Sequence, residues 1–292
     1  MNWQFETTQL TDEQYRKWSE LLELRTGMTL LPHLRSHVQT QLSMRMRERE
    51  CSDVDKYFQL IGSGLQGAAE WRILLDRLMV KETSFFRHQS SYELLQGFLD
   101  ERLAEQDSVD GLSDTVDVWS LGCSTGEEVY SLVFALTECF KQMGIAPYYS
   151  VTGTDISLPA LATARKGVYR KSRLAEFTPE QQEKYFEPQD EDKLQVRKDL
   201  RGRTCFNQGN IKELSRLPDV QMDVIFCQNV LIYFRRWRRR EILDQLVRRL
   251  KPGGLLIIGP GEITEWQNKF VRPLNKNNTQ AYQKVSERPE GN

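Results

Sequence analysis

The sequence predicts an α/β protein in which a mainly parallel sheet domain follows an all-helical domain. Apolar residues recur at helical spacing through roughly the first 80 residues. From Val116 the pattern changes to short apolar runs that alternate with helices, and the first run leads through a turn of small residues into a helix. Strands that alternate with helices imply a parallel sheet with right-handed crossovers.

The N-terminal domain is predicted to span residues 1–80 and to contain four helices. Thr11 and Gln14 have the spacing of a capping box, and Gly27 ends the first helix. The second helix starts at Pro32, the third carries Tyr57 on its apolar face, and the fourth starts near residue 68.

The second domain is predicted to span residues 81–286. Its buried strands are expected at residues 116–121, 149–154, 223–227 and 255–259, and residues 281–285 alternate like an edge strand. Residues 193–208 alternate as two short strands around a turn, which predicts a hairpin in a small β-subdomain at about 190–209.

Composition excludes several classes of protein. Forty basic and forty-one acidic residues nearly cancel, so no nucleic-acid partner is expected. The five cysteines are scattered without a C-x-x-C pair, and His33 and His37 lack further ligands, so no metal is expected. No apolar run approaches the ~20 residues of a membrane span, and the N-terminus lacks a signal-peptide pattern. We therefore expect a cytoplasmic protein without direct membrane insertion.

Three polar positions follow predicted strands. The small-residue turn at 122–126 is suited either to a ligand or to an ordinary strand-to-helix connection, and a ligand is favoured because such a turn directs backbone N–H groups outward. Asp155 follows the second strand, where doubly wound folds place an acid that accepts bonds from ribose hydroxyls, although an aspartate there also forms turns. Asn229 follows the third strand, and ligand contact is favoured because a buried amide needs partners.

Two further motifs keep two interpretations each. In T-S-F-F-R at residues 83–87, the phenylalanines are either plain core or the support of a Thr and an Arg that close over a pocket. The run R-R-W-R-R-R at residues 235–240 is either a solvated helix face or a contact for an acidic partner.

Together these residues resemble the CheR family, the S-adenosylmethionine-dependent protein-glutamate O-methyltransferases that modify bacterial chemoreceptors. The resemblance covers residues 11–285 and rests on T-S-F-F-R at 83–87, G-C-S-T-G-E-E-V-Y-S at 122–131, T-D-I-S at 154–157 and F-C-Q-N-V-L-I-Y-F at 226–234. It implies a class I S-adenosylmethionine-dependent methyltransferase (Rossmann-like) sheet domain with a small β-subdomain, preceded by an all-α N-terminal domain. The length and plain C-terminus resemble members that serve type IV pilus chemosensory systems and twitching motility.

The resemblance also implies the site residues. The residues that would bind S-adenosylmethionine, and release S-adenosylhomocysteine, are Thr83, Arg87, Glu128, Asp155, Asn210, Ile211, Asn229 and Val230. Arg87 and Tyr233 would lie closest to the transferred methyl and act as the catalytic pair. Glu128 would bind the cofactor's ammonium group.

The partner implied is the cytoplasmic helical bundle of a methyl-accepting chemoreceptor. Because the methylated face of such a bundle is rich in glutamate, the docking candidates are Arg45, Arg47 and Arg49. The stretch E-P-Q-D-E-D at 187–192 lacks the glycine-containing loop of members that dock on a receptor tail, so tail-independent recognition is expected. Two rival hypotheses are a methyltransferase that acts on RNA or a small molecule, and a non-catalytic regulator that binds S-adenosylmethionine.

Overall fold

The structure is a computed structural model that describes residues 8–30, 32–79, 82–106, 115–145, 148–217, 219–274 and 279–285. The chain forms two compact units. The helical unit comprises Met1–Lys81 and Tyr233–Arg235, and the sheet unit comprises Glu82–Ile232 and Arg236–Asn292.

The helical unit contains four α-helices, which are α1 (Asp12–Thr26), α2 (Arg35–Glu48), α3 (Val54–Gly62) and α4 (Gly64–Leu78). The predicted capping box is confirmed: the Thr11 hydroxyl accepts from the Gln14 N–H, and the Gln14 side chain accepts from the Thr11 N–H. Gly27 ends α1 in the left-handed region, with φ of 78°. The second helix differs from the prediction, because Pro32–Leu34 forms a 3-10 turn before α2 begins.

A short segment from far along the chain completes the helical unit. The Thr29 N–H donates to the Tyr233 carbonyl at 2.7 Å, and Met28 and Phe234 form an antiparallel bridge. The Arg235 guanidinium holds both carboxylate oxygens of Glu23, at 2.5 and 2.8 Å. A bidentate pair of this kind fixes direction as well as distance.

The sheet unit is built on a seven-stranded sheet with helices between its parallel strands. Its strands are β1 (Val116–Leu121), β2 (Tyr149–Asp155), β6 (Thr204–Gln208), β7 (Met222–Cys227), β8 (Leu250–Ile258), β9 (Val271–Pro273) and β10 (Gln280–Lys284). The main helices are α5 (Gln89–Gln106), α6 (Glu127–Gln142), α7 (Leu158–Lys166) and α10 (Arg236–Arg248). The strand order is β6-β2-β1-β7-β8-β10-β9. The first five strands in this order are parallel, β10 is antiparallel to β8, and β9 is antiparallel to β10. The predicted α/β class is confirmed.

The strand order reverses beside β1, where β2 and β6 extend to one side and β7 and β8 to the other. In doubly wound sheets, a crevice opens at the carboxyl ends of the strands at this reversal, and ligands bind there. The polar positions that follow β1, β2 and β7 therefore lie at the edge where a site is expected.

The hairpin predicted at residues 193–208 is wrong. Strand β5 (Lys193–Val196) pairs with β3 (Val168–Arg170) and β4 (Phe186–Pro188) in a separate three-stranded antiparallel sheet. Strand β6 instead pairs in parallel with β2 and forms one edge of the main sheet. A one-turn helix, α9 (Lys198–Arg201), fills the predicted turn and sends the chain from one sheet to the other. The small sheet thus draws its strands from residues 168–196.

The predicted edge strand is also displaced. Strand β10 lies between β8 and β9, and the three-residue β9 occupies the edge. The predicted alternation is not reflected in burial, since the consecutive residues Ala281 and Tyr282 point to opposite faces of the sheet and are both buried. Burial on both faces agrees with the position of β10 between two other strands.

The core of the sheet unit is closely packed around Gly153 in β2. A Cβ at this position would lie 2.8 Å from Val129 of α6, 2.9 Å from Cys123 and 2.9 Å from Phe206 of β6. Glycine therefore allows the first loop, α6 and β6 to approach β2 closely.

Among the described helices, none is both long and apolar enough to cross a membrane.

Candidate active site at the carboxyl edge of the sheet

The first loop is held by bonds to its neighbours. The N–H groups of Gly122 and Cys123 donate to the Thr154 carbonyl at 2.7 and 3.2 Å, and the Ser124 N–H donates to Asp155 Oδ2 at 2.9 Å. The Gly126 N–H donates to the Cys123 carbonyl at 3.0 Å. We predicted that such amides would face a ligand; these four bind protein acceptors, so the loop presents side chains and shape instead.

Glu128, in the first turn of α6, carries a carboxyl with a perturbed pKa. Burial, and to a smaller extent the negative charge of Glu262, raise the pKa of this carboxyl to about 7. The Ser120 hydroxyl, which donates to Glu128 Oε1 at 2.7 Å, and the Arg87 guanidinium oppose that rise in pKa. A carboxyl that burial makes costly to ionise gains from a cation placed against it.

Asp155 joins two loops at the end of β2. Its Oδ2 accepts from the Ser124 N–H at 2.9 Å, and its Oδ1 accepts from the Ser157 N–H at 2.8 Å. The turn-forming interpretation of this aspartate is therefore correct. The carboxylate thus fixes the end of β2 against the first loop and against the start of α7.

The segment after β7 carries Asn229 and Val230. Asn229 adopts φ of 59°, in the left-handed region, and its Oδ1 lies 2.9 Å from His88 Nε2. Val230 is buried, and a Cβ on Gly122 would collide with its Cγ2. The missing side chain at Gly122 therefore brings the first loop against the segment that carries both predicted residues.

In the T-S-F-F-R motif both interpretations hold together. Phe85 is buried and makes edge contacts with Tyr169 and Phe177. The Phe86 N–H donates to the Ser131 hydroxyl at 2.9 Å, which fastens the motif to α6. The phenylalanines are core, and they fix the backbone of the residues on either side.

The two polar ends of this motif remain accessible. Thr83 is partly exposed, and Arg87 is exposed, with its Nη1 donating to the Glu82 carbonyl at 2.9 Å. The positive charge of Arg87 lowers the pKa of the Glu128 carboxyl, so the two groups interact electrostatically.

Asn210 and Ile211 follow β6, so they belong to the same carboxyl edge. The Asn210 side chain accepts from the Lys212 N–H at 3.0 Å and caps the 3-10 helix Ile211–Arg216. Both residues are partly exposed. Tyr233 belongs to the helical unit, where its carbonyl accepts from Thr29.

Two residues of this edge were missed by the sequence reasoning. His88 was not among the predicted site residues, and its Nε2 lies 2.9 Å from Asn229 Oδ1. Glu262, in the loop after β8, is 2% exposed and accepts from the Gly259 N–H at 2.8 Å and the Ile232 N–H at 3.3 Å. The signal that was available is its position, because an acid just after a buried parallel strand falls at the same edge as Asp155.

The docking candidates on α2 differ from one another. Arg45 holds both oxygens of the buried Glu70 at 2.6 and 2.7 Å and also reaches Glu48 at 2.6 Å. Its side chain is 12% exposed, so it stabilises the helical unit and is not available for docking. Arg47 and Arg49 are exposed.

The arginine run at 235–240 is largely engaged within the protein. Arg236 lies 3.7 Å from a Glu265 carboxylate oxygen, and Arg238 lies 2.7 Å from a Glu241 carboxylate oxygen. Arg239 donates to two backbone carbonyls, those of Glu262 and Ile232. These contacts weaken the hypothesis that the run binds phosphates.

Within the described residues, no group of three or more His, Cys, Asp or Glu side chains is placed to hold a metal ion.

Comparison with known proteins agrees with this geometry. The family model described as "CheR methyltransferase, SAM binding domain" matches residues 81–279, and the model described as "CheR methyltransferase, all-alpha domain" matches residues 13–79. The chemotaxis protein methyltransferase of Escherichia coli (strain K12) is 34% identical over 257 residues, which cover 87% of this chain and 85% of that protein. The corresponding protein of Salmonella typhimurium is 32% identical, over 87% of this chain and 84% of its own length.

A relative at lower identity extends the match. The chemotaxis protein methyltransferase of Vibrio parahaemolyticus is 29% identical over 265 residues, which cover 89% of this chain and 93% of that protein. Since the two family models together span nearly the whole chain, the similarity includes both units. The chain therefore belongs to the CheR methyltransferase family, and S-adenosylmethionine is its methyl donor.

Proposed function

We propose that this protein methylates glutamate side chains on the cytoplasmic helical bundle of a methyl-accepting chemoreceptor. The observation that carries the proposal is the partly buried Glu128, held by the Ser120 hydroxyl at the strand edge where Asp155 and Asn229 also lie. The protein would act in the cytoplasm, where the receptor bundle is exposed.

The residues of this edge fit S-adenosylmethionine. Glu128 would bind the ammonium group, because a cation removes the cost of ionising a buried acid. Asp155 would accept from ribose hydroxyls, since each oxygen of a carboxylate can accept more than one hydrogen bond. Thr83, Asn229 and Val230 would complete the walls, with Asn210 and Ile211 on the β6 side.

The transfer requires positioning more than proton chemistry. S-adenosylmethionine supplies an electrophilic methyl group on its sulfonium, and a glutamate of pKa about 4.3 is already ionised at neutral pH, so no general base is needed. Arg87 would hold the incoming carboxylate, and orientation of this kind can contribute ~7–11 kcal/mol. Tyr233 would fix the second oxygen, a role that rests on the family resemblance alone.

One assay separates this function from its rivals. The protein is incubated with methyl-labelled S-adenosylmethionine and with cytoplasmic receptor fragments or total RNA, and the label is then treated with base. We expect base-labile label in the receptor fragments. Label in RNA would support an RNA methyltransferase, and cofactor binding without any transfer would support a regulator.

Arg87 gives a second test of the same proposal. We expect Arg87→Ala to lower turnover about 100-fold or more, because a donor that orients the reacting group is lost. Binding of S-adenosylmethionine should stay within ~3-fold, which separates loss of positioning from loss of the cofactor site. Arg87→Lys serves as the matched control, since it keeps the charge without the planar fork. Normal turnover in Arg87→Ala would contradict the assignment.

Receptor docking is proposed for Arg47, in the last turn of α2, and for Arg49, which follows α2 and lies 3.7 Å from Glu70 while remaining exposed. Tail-independent recognition is proposed for the β4–β5 connection. That connection is a tight turn, in which the N–H groups of Gln189 and Asp190 donate to the Lys193 carbonyl at 3.1 and 3.2 Å. A turn closed on itself offers little backbone to an added peptide strand.

A further inference from the structure

The loop after β8 contains a buried acid that the proposed chemistry does not use. Glu262 Oε2 accepts from the Gly259 N–H at 2.8 Å, and its Oε1 accepts from the Ile232 N–H at 3.3 Å. Burial raises the pKa of Glu262, while backbone N–H groups, including those of Asn229 and Val230, oppose that rise. A carboxylate that faces several N–H groups can therefore remain ionised inside the protein.

Gly259, at the end of β8, is where this acid meets the segment after β7. A Cβ on Gly259 would lie 2.5 Å from Glu262 Oε2 and 3.0 Å from the Asn229 nitrogen. The strand end, the carboxylate and the Asn229 backbone are thus in direct contact. Only a residue without a side chain leaves room for this arrangement.

Arg239 ties the same two segments together from α10. Its Nη1 donates to the Glu262 carbonyl at 2.7 Å, and its Nη2 donates to the Ile232 carbonyl at 3.2 Å. Glu262 thus accepts from N–H groups of residues 229–232, and Arg239 donates to the carbonyl of Ile232 in the same segment. This accounts for one arginine of the run whose role the sequence left open.

The constraint falls on a segment that does not adopt its conformation freely. Asn229 has φ of 59°, a region in which non-glycine residues are held by their surroundings. We propose that Glu262 is a positioning residue, which holds residues 229–232 in the conformation that presents Asn229 and Val230 to S-adenosylmethionine. The inference rests on the cofactor contacts proposed above for those two residues.

The test replaces the acid by its isostere. In Glu262→Gln the shape is kept, but an NH₂ group faces N–H donors and one acceptor oxygen is lost. The assay is calorimetric titration with S-adenosylmethionine at pH 8, where Glu128 is ionised in both proteins, so that removing the Glu262 charge does not alter the ammonium site. Hydrogen exchange of the peptide covering residues 229–232 is followed in parallel.

We expect at least a tenfold rise in the dissociation constant and faster exchange at 229–232, while turnover at saturating cofactor stays within threefold. The control Glu265→Gln, an exposed acid of the same loop, should leave all three quantities unchanged. Binding within twofold of the wild type, with unchanged exchange, would overturn the proposal. If Glu262→Gln does not fold, the same two measurements are made on Arg239→Met. Faster exchange at residues 229–232 together with weaker binding of S-adenosylmethionine supports the proposal, and wild-type values refute it. Cofactor binding and hydrogen exchange are measured without a receptor, so failure of receptor methylation would leave this inference standing.

Discussion

Cofactor affinity should depend on pH through Glu128. The pKa of this carboxyl is about 7 in the folded chain because it is buried, so roughly half of the molecules carry a neutral Glu128 at neutral pH. An ammonium group binds the ionised form and not the neutral one. Acidification from pH 7.5 to 5.5 should therefore weaken the binding of S-adenosylmethionine, whose α-ammonium, with an ordinary pKa of about 7.7–8.0, is mostly charged at pH 7.5 and almost fully charged at pH 5.5.

The magnitude follows from the ionised fraction. With a pKa of about 7, that fraction falls from about 0.76 at pH 7.5 to about 0.03 at pH 5.5. If only the ionised form binds, the dissociation constant rises ~25-fold, which corresponds to about 1.9 kcal/mol. That energy lies within the ~1.5–3 kcal/mol expected of a hydrogen bond to a charged group. Linkage requires the reverse effect as well, so binding at pH 7 should release about half a proton.

Calorimetric titration in two buffers with different ionisation enthalpies measures both the affinity and the released protons. Glu128→Gln, which cannot titrate, should bind weakly at all these pH values and release no proton through this group. Glu262, whose pKa is also raised, would add to any dependence that remains in the variant. An equal dissociation constant at pH 5.5 and 7.5 in the wild type, or full pH dependence in Glu128→Gln, would refute the reasoning.

The same shift predicts a stability change in the absence of cofactor. The pKa of Glu128 in the folded chain lies above its ordinary value of 4.5, so between these values the folded chain holds a proton that the unfolded chain has lost. This contribution is present at acidic pH and is lost as the pH rises through about 7. The difference in the free energy of unfolding between the wild type and Glu128→Gln should therefore change by about 3 kcal/mol between pH 4.5 and 7.5.

Three other predictions concern docking and the helical unit. Arg47→Glu with Arg49→Glu should raise KM for receptor fragments several-fold at low salt and remove most of its salt dependence, while the control Arg72→Glu, an exposed residue of the same unit, should do neither. Removing the tail of a receptor fragment should leave KM within ~2-fold, and a larger rise would show that the tail is recognised. Glu70→Ala should lower the free energy of unfolding by ~3 kcal/mol in urea titrations, because the largely buried Arg45 would lose both bonds to its buried partner and keep only the contact with Glu48. A loss below 1 kcal/mol would mean that Arg45 reaches water.

Local patterns in the sequence predict what is locally determined. The capping box at Thr11 and the buried strands β1, β2 and β7 are confirmed, because each depends on neighbouring residues or on burial of a whole strand. The pairing of β5 and β6 was not predicted. Two alternating runs separated by residues that include Gly202 fit a hairpin equally well, and only contacts with β2 and β3 decide the pairing.

The site shows the same division. Asp155 and Asn229 were identified because they directly follow strands, whereas Glu262 stands four residues beyond β8 and reaches the site through its side chain. Arg45 was misjudged because its partner, Glu70, lies on another helix. Charge in a sequence shows that an arginine needs a partner, but the fold decides whether that partner is inside the protein.

Three of the motifs that carry the site contain a non-glycine residue with positive φ: Phe86 at 47°, Ser124 at 49° and Asn229 at 59°. A left-handed backbone costs about 1–2 kcal/mol at such residues, so it persists only where other contacts impose it. The Phe86 N–H is held by Ser131, and the Ser124 N–H is held by Asp155.

The third strained residue follows the same rule, since Asn229 is bonded to His88 and its segment is held by Glu262. In each case the partner comes from a different element of the sheet unit, so the strain is maintained by the tertiary fold and not by the local sequence. An edge built in this way presents its side chains in a fixed arrangement before the cofactor arrives, and little ordering remains to oppose binding. This explains why a substitution such as Glu262→Gln, in a residue that need not touch the cofactor, is expected to appear as lost affinity before it appears as lost stability.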